Sequence, residues 1–234
     1  MPRLRADVSG KRLRDLMEAG LGVFCRQGFE RSQVADVAKA MGVAVGTVYL
    51  YVESKEALFD LVVRHTAFDD PTWLDQLEIP ARTPAPGATL EFLRGVFGRP
   101  GQWACLEEAL NKTRAEDPRV ELEQVLREQY DLMRRHRMGL LLLTRSALEF
   151  PGLVEVFVLG LRRELLLRLE RYIESRVNAG QFRRAKNNFA TAAVLTQTIA
   201  WANLERPFDP GFVTLNEQTV EDATLDMLVT GLLA

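Results

Sequence analysis

Cysteine and histidine are nearly absent from this chain of 234 residues, which has two of each. Cys25 and Cys105 stand alone among small or apolar neighbours, so the sequence offers neither a disulfide framework nor a metal-ligand cluster, and both read as buried, reduced thiols. No nucleophile is paired with a base, and no glycine-rich phosphate loop occurs. The carboxylate pairs Asp69-Asp70 and Glu107-Glu108 are adjacent in sequence and diverge on a helix, so they read as solvated faces. These gaps argue against an enzyme, and no cofactor is expected. Long apolar runs are missing too. The longest, Met138 to Leu143, falls well short of the ~18 residues of a spanning helix, and the N-terminus has no apolar signal stretch. The expectation is a cytoplasmic protein without a membrane partner.

Strand patterning is the next absence. No segment alternates apolar and polar residues for long enough to propose a sheet, whereas apolar residues recur every three to four positions along most of the chain, so the expected fold is all-α. Hydrophobic residues at 47% and charged residues at 26% are ordinary for a globular protein. The net charge of −2 conceals a gradient: residues 1–55 sum to +3 and residues 56–234 to −5. Five basic side chains fall within the first fourteen residues, a composition suited to lying along a phosphate backbone.

The first helix is expected from an N-cap at Ser9, with Leu13, Leu16, Met17, Gly20, Val23 and Phe24 on one stripe, and it stops at Gly28. Ser32 is placed to cap a short second helix carrying Val34, Val37, Ala38 and Met41, closed by Gly42. A third helix is expected over 45–51, and Ser54 caps a fourth. Pro71, Pro80, Pro84 and Pro86 then impose a loop. Beyond it the pattern predicts a long helix over 119–148, another opening at Pro151 and ending at Gly180, and two last helices over about 188–203 and 219–233.

Two short helices joined by a glycine-containing turn are the arrangement that presents one helix to the major groove of DNA, although periodicity alone favours an ordinary helical hairpin in a core. The residues are more specific. The run Gly28-Phe29, then Ser32-Gln33-Val34-Ala35-Asp36-Val37-Ala38, then Gly42 through Phe59 (GVAVGTVYLYVESKEALF) closely resembles the TetR family of bacterial regulators. The resemblance covers roughly the first quarter of the chain. It implies a three-helix DNA-binding domain over 1–53 and a larger helical ligand-binding and dimerisation domain over 54–234, linked by the helix from 54. It also implies a double-stranded DNA operator, a homodimer and a small-molecule effector.

By that resemblance Ala44, Val45, Gly46, Thr47, Tyr49 and Tyr51 lie at the groove or its phosphate walls, with Val48 turned inward. Ser32, Gln33 and Lys55 supply phosphate contacts at two helix starts. The family often has a hydroxyl where this chain has Ala44 and a phenylalanine where it has Val52, which makes the base-reading surface unusually apolar. The expected effector is apolar or aromatic, with Phe92, Trp103, Tyr130 and Met133 as candidate lining residues and Phe68, Trp73, Phe97 and Phe150 as further large apolar side chains. Leu195 and Ile199 on one late helix, and Leu225, Leu228 and Val229 on the other, are candidates for the dimer interface. The expected action is repression at a palindromic operator, relieved by ligand. A ligand-responsive activator and a ligand-independent, nucleoid-type DNA-binding protein stay open as alternatives.

Overall fold

The computed structural model describes residues 2–67, 71–99, 102–212 and 214–233, with the side chains of 2–9, 71 and 75 left aside, so Phe68 lies outside the described residues. The helices are α1 (Pro2–Gln27), α2 (Val34–Met41), α3 (Val45–Val48), α4 (Lys55–Ala67), α5 (Ala88–Phe97), α6 (Ala104–Leu110), α7 (Pro118–Arg135), α8 (Arg137–Ala147), α9 (Pro151–Leu153), α10 (Arg163–Asn178), α11 (Asn188–Ala200) and α12 (Glu217–Leu232). Wider turns of the π form run over Val154–Arg162 and Trp201–Glu205. No sheet strand forms among the described residues, only two isolated bridges, Val52 with Ala81 and Phe182 with Leu233. The fold is all-α: an N-terminal three-helix helix-turn-helix followed by a larger helical part.

Several boundaries differ from expectation for local reasons. α1 already runs at Ser9, so that residue is inside the helix and does not begin it. α2 is capped one residue later than expected, at Gln33, whose backbone N–H donates to the Asp36 carboxylate at 2.8 Å. The long helix expected over 119–148 breaks at His136, where the backbone leaves helical geometry (φ −101°, ψ 20°) between α7 and α8. Asp117, Asn187 and Asn216 cap α7, α11 and α12 through side-chain oxygens that accept backbone N–H groups.

The chain packs as two units. One comprises Met1–Phe97 with Met138–Val158, the other Gly98–Arg137 with Leu159–Ala234. In the first, Leu16, Met17 and Phe24 of α1 meet Val37 and Ala38 of α2 and Leu58, Leu61 and Val62 of α4 in a continuous core. Gly20 lets α1 and α4 approach closely: a Cβ there sits 3.1 Å from a Val62 methyl. Phe24, Phe29, Phe59 and Phe150 form one aromatic cluster, with Phe29 stacked on Phe150 at 5.7 Å and tilted on Phe59 at 4.7 Å. Residues 145–150 are thereby fastened to the turn between α1 and α2, where Arg31 also pairs with Glu149 at 2.8 Å.

In the second unit α7 packs on α11 and α12, and α10 on α6 and α11. Arg176 of α10, with 0% of its surface exposed, is the polar centre. Its guanidinium pairs with Glu121 at 2.7 Å and donates to the carbonyls of Ala109 and Lys112. Glu221 of α12, also buried, accepts from Arg127 and Arg134 of α7 at 2.7 and 2.8 Å.

The candidate interface residues Leu195, Ile199, Leu225, Leu228 and Val229 are all buried within the chain, where the apolar faces of α11 and α12 are covered by α7, α10 and each other. The outward faces of the same two helices carry Val194 and Met227 instead.

Candidate nucleic-acid interface

α3 is short because of what bounds it. Gly42 takes up the left-handed conformation (φ 68°) that ends α2, and the Val43 N–H closes the turn on the Ala38 carbonyl at 3.0 Å. Only Ala44 separates this turn from α3. Ala44 occupies the N-cap in extended geometry (φ −70°, ψ 148°), and its methyl offers no capping acceptor. The α-helix is therefore four residues, not the seven expected, and it continues as a tighter turn in which the Leu50 N–H donates to the Thr47 carbonyl and the Tyr51 N–H to that of Val48.

Val48 and Val52 are buried and fix this segment to the core. With them inward, the helical turn sorts its neighbours into faces. Val45 (40% exposed) and Tyr49 (47%) point outward on one row, Gly46 and Leu50 (67%) on the next. A Cβ on Gly46 meets nothing within 4 Å, so the backbone there is open to close approach. Thr47, Tyr51 and Ala44 line a groove of about 870 Å³ that runs along α1 and includes Arg12, Asp15, Glu18, Ala40, Met41 and Val43.

The far end of the turn is held by the proline-containing segment. The Ala81 N–H donates to the Tyr51 carbonyl at 2.8 Å and the Glu53 N–H to the Ala81 carbonyl at 3.0 Å, while Thr83 bonds to Glu53 and Ser54. Ser54 caps α4 by accepting the Ala57 N–H.

At the other predicted positions, Gln33 is exposed at the start of α2. Ser32 is not: it is 1% exposed, and its hydroxyl donates inward to the Phe29 carbonyl at 2.8 Å. The ammonium of Lys55 likewise turns to the protein, donating to the carbonyls of Phe29, Glu30 and Ser32 at 3.0, 3.3 and 3.3 Å and lying 4.3 Å from the centre of the Phe29 ring. Both side chains thus bond within the turn before α2 in the absence of DNA, while the helix starts they mark remain those expected to meet phosphate. Leu50, absent from the expected contacts, is the most exposed large apolar side chain of the segment. Its signal was the i+4 spacing from Gly46.

The candidate effector residues are divided. Phe92 belongs to the first unit, beneath the Arg64 guanidinium at 4.4 Å. Trp103, Tyr130 and Met133 belong to the second, with Tyr130 and Met133 buried on α7. A pocket of about 160 Å³ in the first unit is lined by other residues, among them Phe29, Phe59, Pro84, Leu90 and Phe150. Among the described residues no group of His, Cys, Asp and Glu is placed to hold a metal ion, and no helix is long and apolar enough to cross a membrane.

Residues 16–62 match the family model of bacterial regulatory proteins, tetR family. The chain is 35% identical over 69 residues to the uncharacterized HTH-type transcriptional regulator YfiR of Bacillus subtilis (strain 168), a match covering 30% of this chain and 33% of that one. It is 44% identical over 55 residues to the HTH-type transcriptional regulator LuxR of Vibrio harveyi, covering 24% and 27%. These matches span no more than about a third of the length of those relatives. The whole fold is similar to that of the ketosteroid transcriptional regulator KstR2 of Mycobacterium tuberculosis, with a TM-score of 0.55 at 16% identity over 95% of both chains. It is also similar to the probable transcriptional regulatory protein RHA5900, with a TM-score of 0.58 at 19% identity over 95% of this chain and 99% of that one.

Proposed function

We propose, from the match of residues 16–62 to the tetR family model, that the chain is a TetR-type cytoplasmic repressor which binds a palindromic operator as a homodimer and leaves it when a small molecule binds. The observation that carries the DNA-binding part is the outward row of Val45, Gly46, Tyr49 and Leu50, held by buried Val48 and Val52 on a rigid three-helix core. The major groove, about 12 Å wide, accepts one such segment. Residues 1–53 supply the reading surface, and residues 54–234, entered through α4, supply effector binding and dimerisation.

Within that surface Val45 and Leu50 suit thymine methyl groups. Gly46 lets the backbone approach base edges, and the Tyr49 hydroxyl suits a phosphate oxygen. Thr47, Tyr51 and Ala44, on the groove along α1, contact the flanking backbone, as does Gln33 at the start of α2. Base reading therefore leans on apolar contact and DNA shape more than on bidentate hydrogen bonds. The two-fold contact falls on the outward faces of α11 and α12 around Val194 and Met227, since their inward faces are occupied. The effector is apolar or aromatic, in keeping with the aromatic and methionine side chains of the central helices, Trp103, Tyr130 and Met133 among them. Ligand and DNA then compete through a shift of population between two arrangements of the dimer.

The test is selection of duplex sites from a random library followed by fluorescence anisotropy in physiological salt. A palindromic site is expected to bind the dimer at least about a thousandfold more tightly than random duplex, and Tyr49→Ala is expected to weaken binding to both duplexes while keeping its circular dichroism. Selected and random duplexes that bind equally well defeat the proposal. A monomeric mass from light scattering defeats the dimeric part of it.

A further inference from the structure

The proline-containing segment before α5 is pinned to α4 at two points. Thr83 donates to the Ser54 hydroxyl at 2.9 Å and Thr89 to the Asp60 carboxylate at 2.7 Å, so one end is fixed at the cap of α4 and the other in the middle of that helix. The two anchors on α4 are roughly 9 Å apart along the helix axis, whereas the chain from 83 to 89 can span about 20 Å. The residues between must bow away from α4. Pro84 and Pro86 restrict the backbone of the bow, and Gly87 takes the left-handed conformation (φ 83°) that turns it into α5, so its shape is fixed.

Under the bow lies the pocket of about 160 Å³, with Phe29, Phe59 and Phe150 on one side and Pro84 and Pro86 on the other. An apolar cavity of about 150 Å³ is large enough to take up benzene. One lining residue is charged. Glu56 stands three residues before Phe59, on the same face of α4; it is exposed, and its carboxylate has no partner among the described residues. No lining residue is basic. The rings match an aromatic group, and the carboxylate matches a cation and repels an anion.

We propose that this pocket binds a small monocyclic aromatic ammonium compound, with its ring against the phenylalanines and its ammonium at Glu56, and that the occupant steadies the segment's hold on the turn after α3. The hold lies immediately before the bow: the Ala81 N–H donates to the Tyr51 carbonyl at 2.8 Å and the Glu53 N–H to the Ala81 carbonyl at 3.0 Å. The pocket exists only while the bow is anchored, so a ligand that fills it binds the anchored state and opposes its release. For DNA, a consequence that rests on the reading above, such a ligand favours operator binding, the opposite sign to the releasing effector.

Benzylamine is the probe, with benzyl alcohol as its uncharged counterpart and benzoate as its anionic one. Each is titrated into the DNA-free full chain, wild type and Glu56→Gln, with circular dichroism to establish that the variant is folded. Nuclear Overhauser contacts locate the ligand, and amide exchange at Glu53 and Ala81 reads the hold. Saturable binding is expected, with contacts between the benzylamine ring and the methyls of Leu90, which lines the same pocket. Affinity falls in the order benzylamine, benzyl alcohol, benzoate. Glu56→Gln weakens benzylamine by about threefold and leaves benzyl alcohol unchanged. Exchange at the two amides slows by about tenfold when benzylamine is present at about ten times its Kd.

Binding that does not saturate, or contacts confined to residues outside the pocket, overturns the site. Equal losses of benzylamine and benzyl alcohol in Glu56→Gln overturn the cationic class; should the variant not fold, any other order of the three compounds on the wild type does the same. Exchange unchanged or faster under saturating benzylamine overturns the effect on the hold. None of these measurements uses DNA, so a wild type that selects no duplex overturns the function proposed above and leaves their outcome standing. Where a duplex is selected, its affinity should rise with benzylamine, and a fall refutes the coupling to DNA.

Discussion

Replacing Ala44 by serine should strengthen the weakest element of the reading surface. α3 has four residues, so its nucleation cost is spread over very few hydrogen bonds, and its N-cap methyl leaves the first amides without a side-chain acceptor. The Ala44 backbone already has the extended geometry of a cap, and the Thr47 N–H lies only 2.9 Å from the Ala44 carbonyl, so a serine hydroxyl reaches the Gly46 or Thr47 N–H without backbone movement. Ala44 is exposed, so the added oxygen meets no steric cost. A cap of this kind is worth about 1 kcal/mol, which is roughly a fivefold slowing of local opening. Amide exchange at Gly46, Thr47 and Val48 should therefore slow by about fivefold, and the melting temperature of a single cooperative transition should rise by about 2–4 °C. Affinity for the selected duplex should rise by no more than the same factor, because only the ordering left to the bound state is saved. Exchange unchanged or faster in Ala44→Ser would show that α3 does not begin where its geometry indicates, and the assignment of Val45 and Tyr49 to the outward row would fall with it.

Three further outcomes follow from buried and titrating groups. Arg176→Met removes a fully buried guanidinium from Glu121 and two carbonyls, so urea denaturation should show a loss of about 3–5 kcal/mol, partly restored by Glu121→Leu in the double variant; a loss below about 1 kcal/mol refutes the hub. Burial pushes the Cys25 thiol up to about 12, against the lowering effects of Arg145 and Arg26, and its S–H points at the Met138 carbonyl, so alkylation at pH 8 should mark Cys105 first and Cys25 only on unfolding. Burial also holds His65 below its ordinary value of 6.5, with Arg14 lowering it further and Glu18 opposing, while hydrogen bonding to Arg137 holds the Glu217 carboxyl below 4.5. In both cases the unfolded chain takes up the proton first. Stability present at pH 7 should accordingly decline as pH falls from about 6.5 through the folded value of His65, and again as it falls from about 4.5 through that of Glu217; His65→Gln should flatten the first decline.

The helix-turn-helix was legible because its punctuation is local. Gly28, Gly42 and Ser54 each act through their own backbone or the next turn, so the sequence shows where α1 and α2 end and where α4 begins. What was not legible is what a buried face is buried against. The small apolar stripe of α11 and α12 says only that Leu195, Ile199, Leu225 and Val229 leave water; whether a second copy or α7 receives them is a property of helices far away in the chain. Side-chain direction was hidden for the same reason. Ser32 and Lys55 look like phosphate ligands by type, yet in the absence of DNA their partners are carbonyls set by the fold of the turn. Arg176 was readable in principle. It lies four residues after Tyr172 on the stripe of Leu165 and Leu169, a position that spacing assigns to the core and that chemical type argues away from it.

The apolar character of the reading surface and the stiffness of its support belong together. A surface that presents Val45, Gly46 and Leu50 has few directional hydrogen bonds with which to correct a misplaced helix, since thymine methyl contacts and shape readout both decay over a fraction of an ångström of misfit. Discrimination then has to come from holding the segment in one position. The means are distributed around it: Val48 and Val52 beneath, and the Ala81 bridge at its far end. A clean separation of these contributions is available at Ala81. Ala81→Pro deletes the N–H that donates to the Tyr51 carbonyl while touching no residue of the outward row. Selectivity between the best and second-best selected duplexes should narrow by several-fold, with affinity for random duplex unchanged, because the phosphate contacts tolerate small displacements that the methyl contacts do not. Equal losses on selected and random DNA would mean that the bridge supports folding alone and that rigidity at the end of the turn plays no part in reading the sequence.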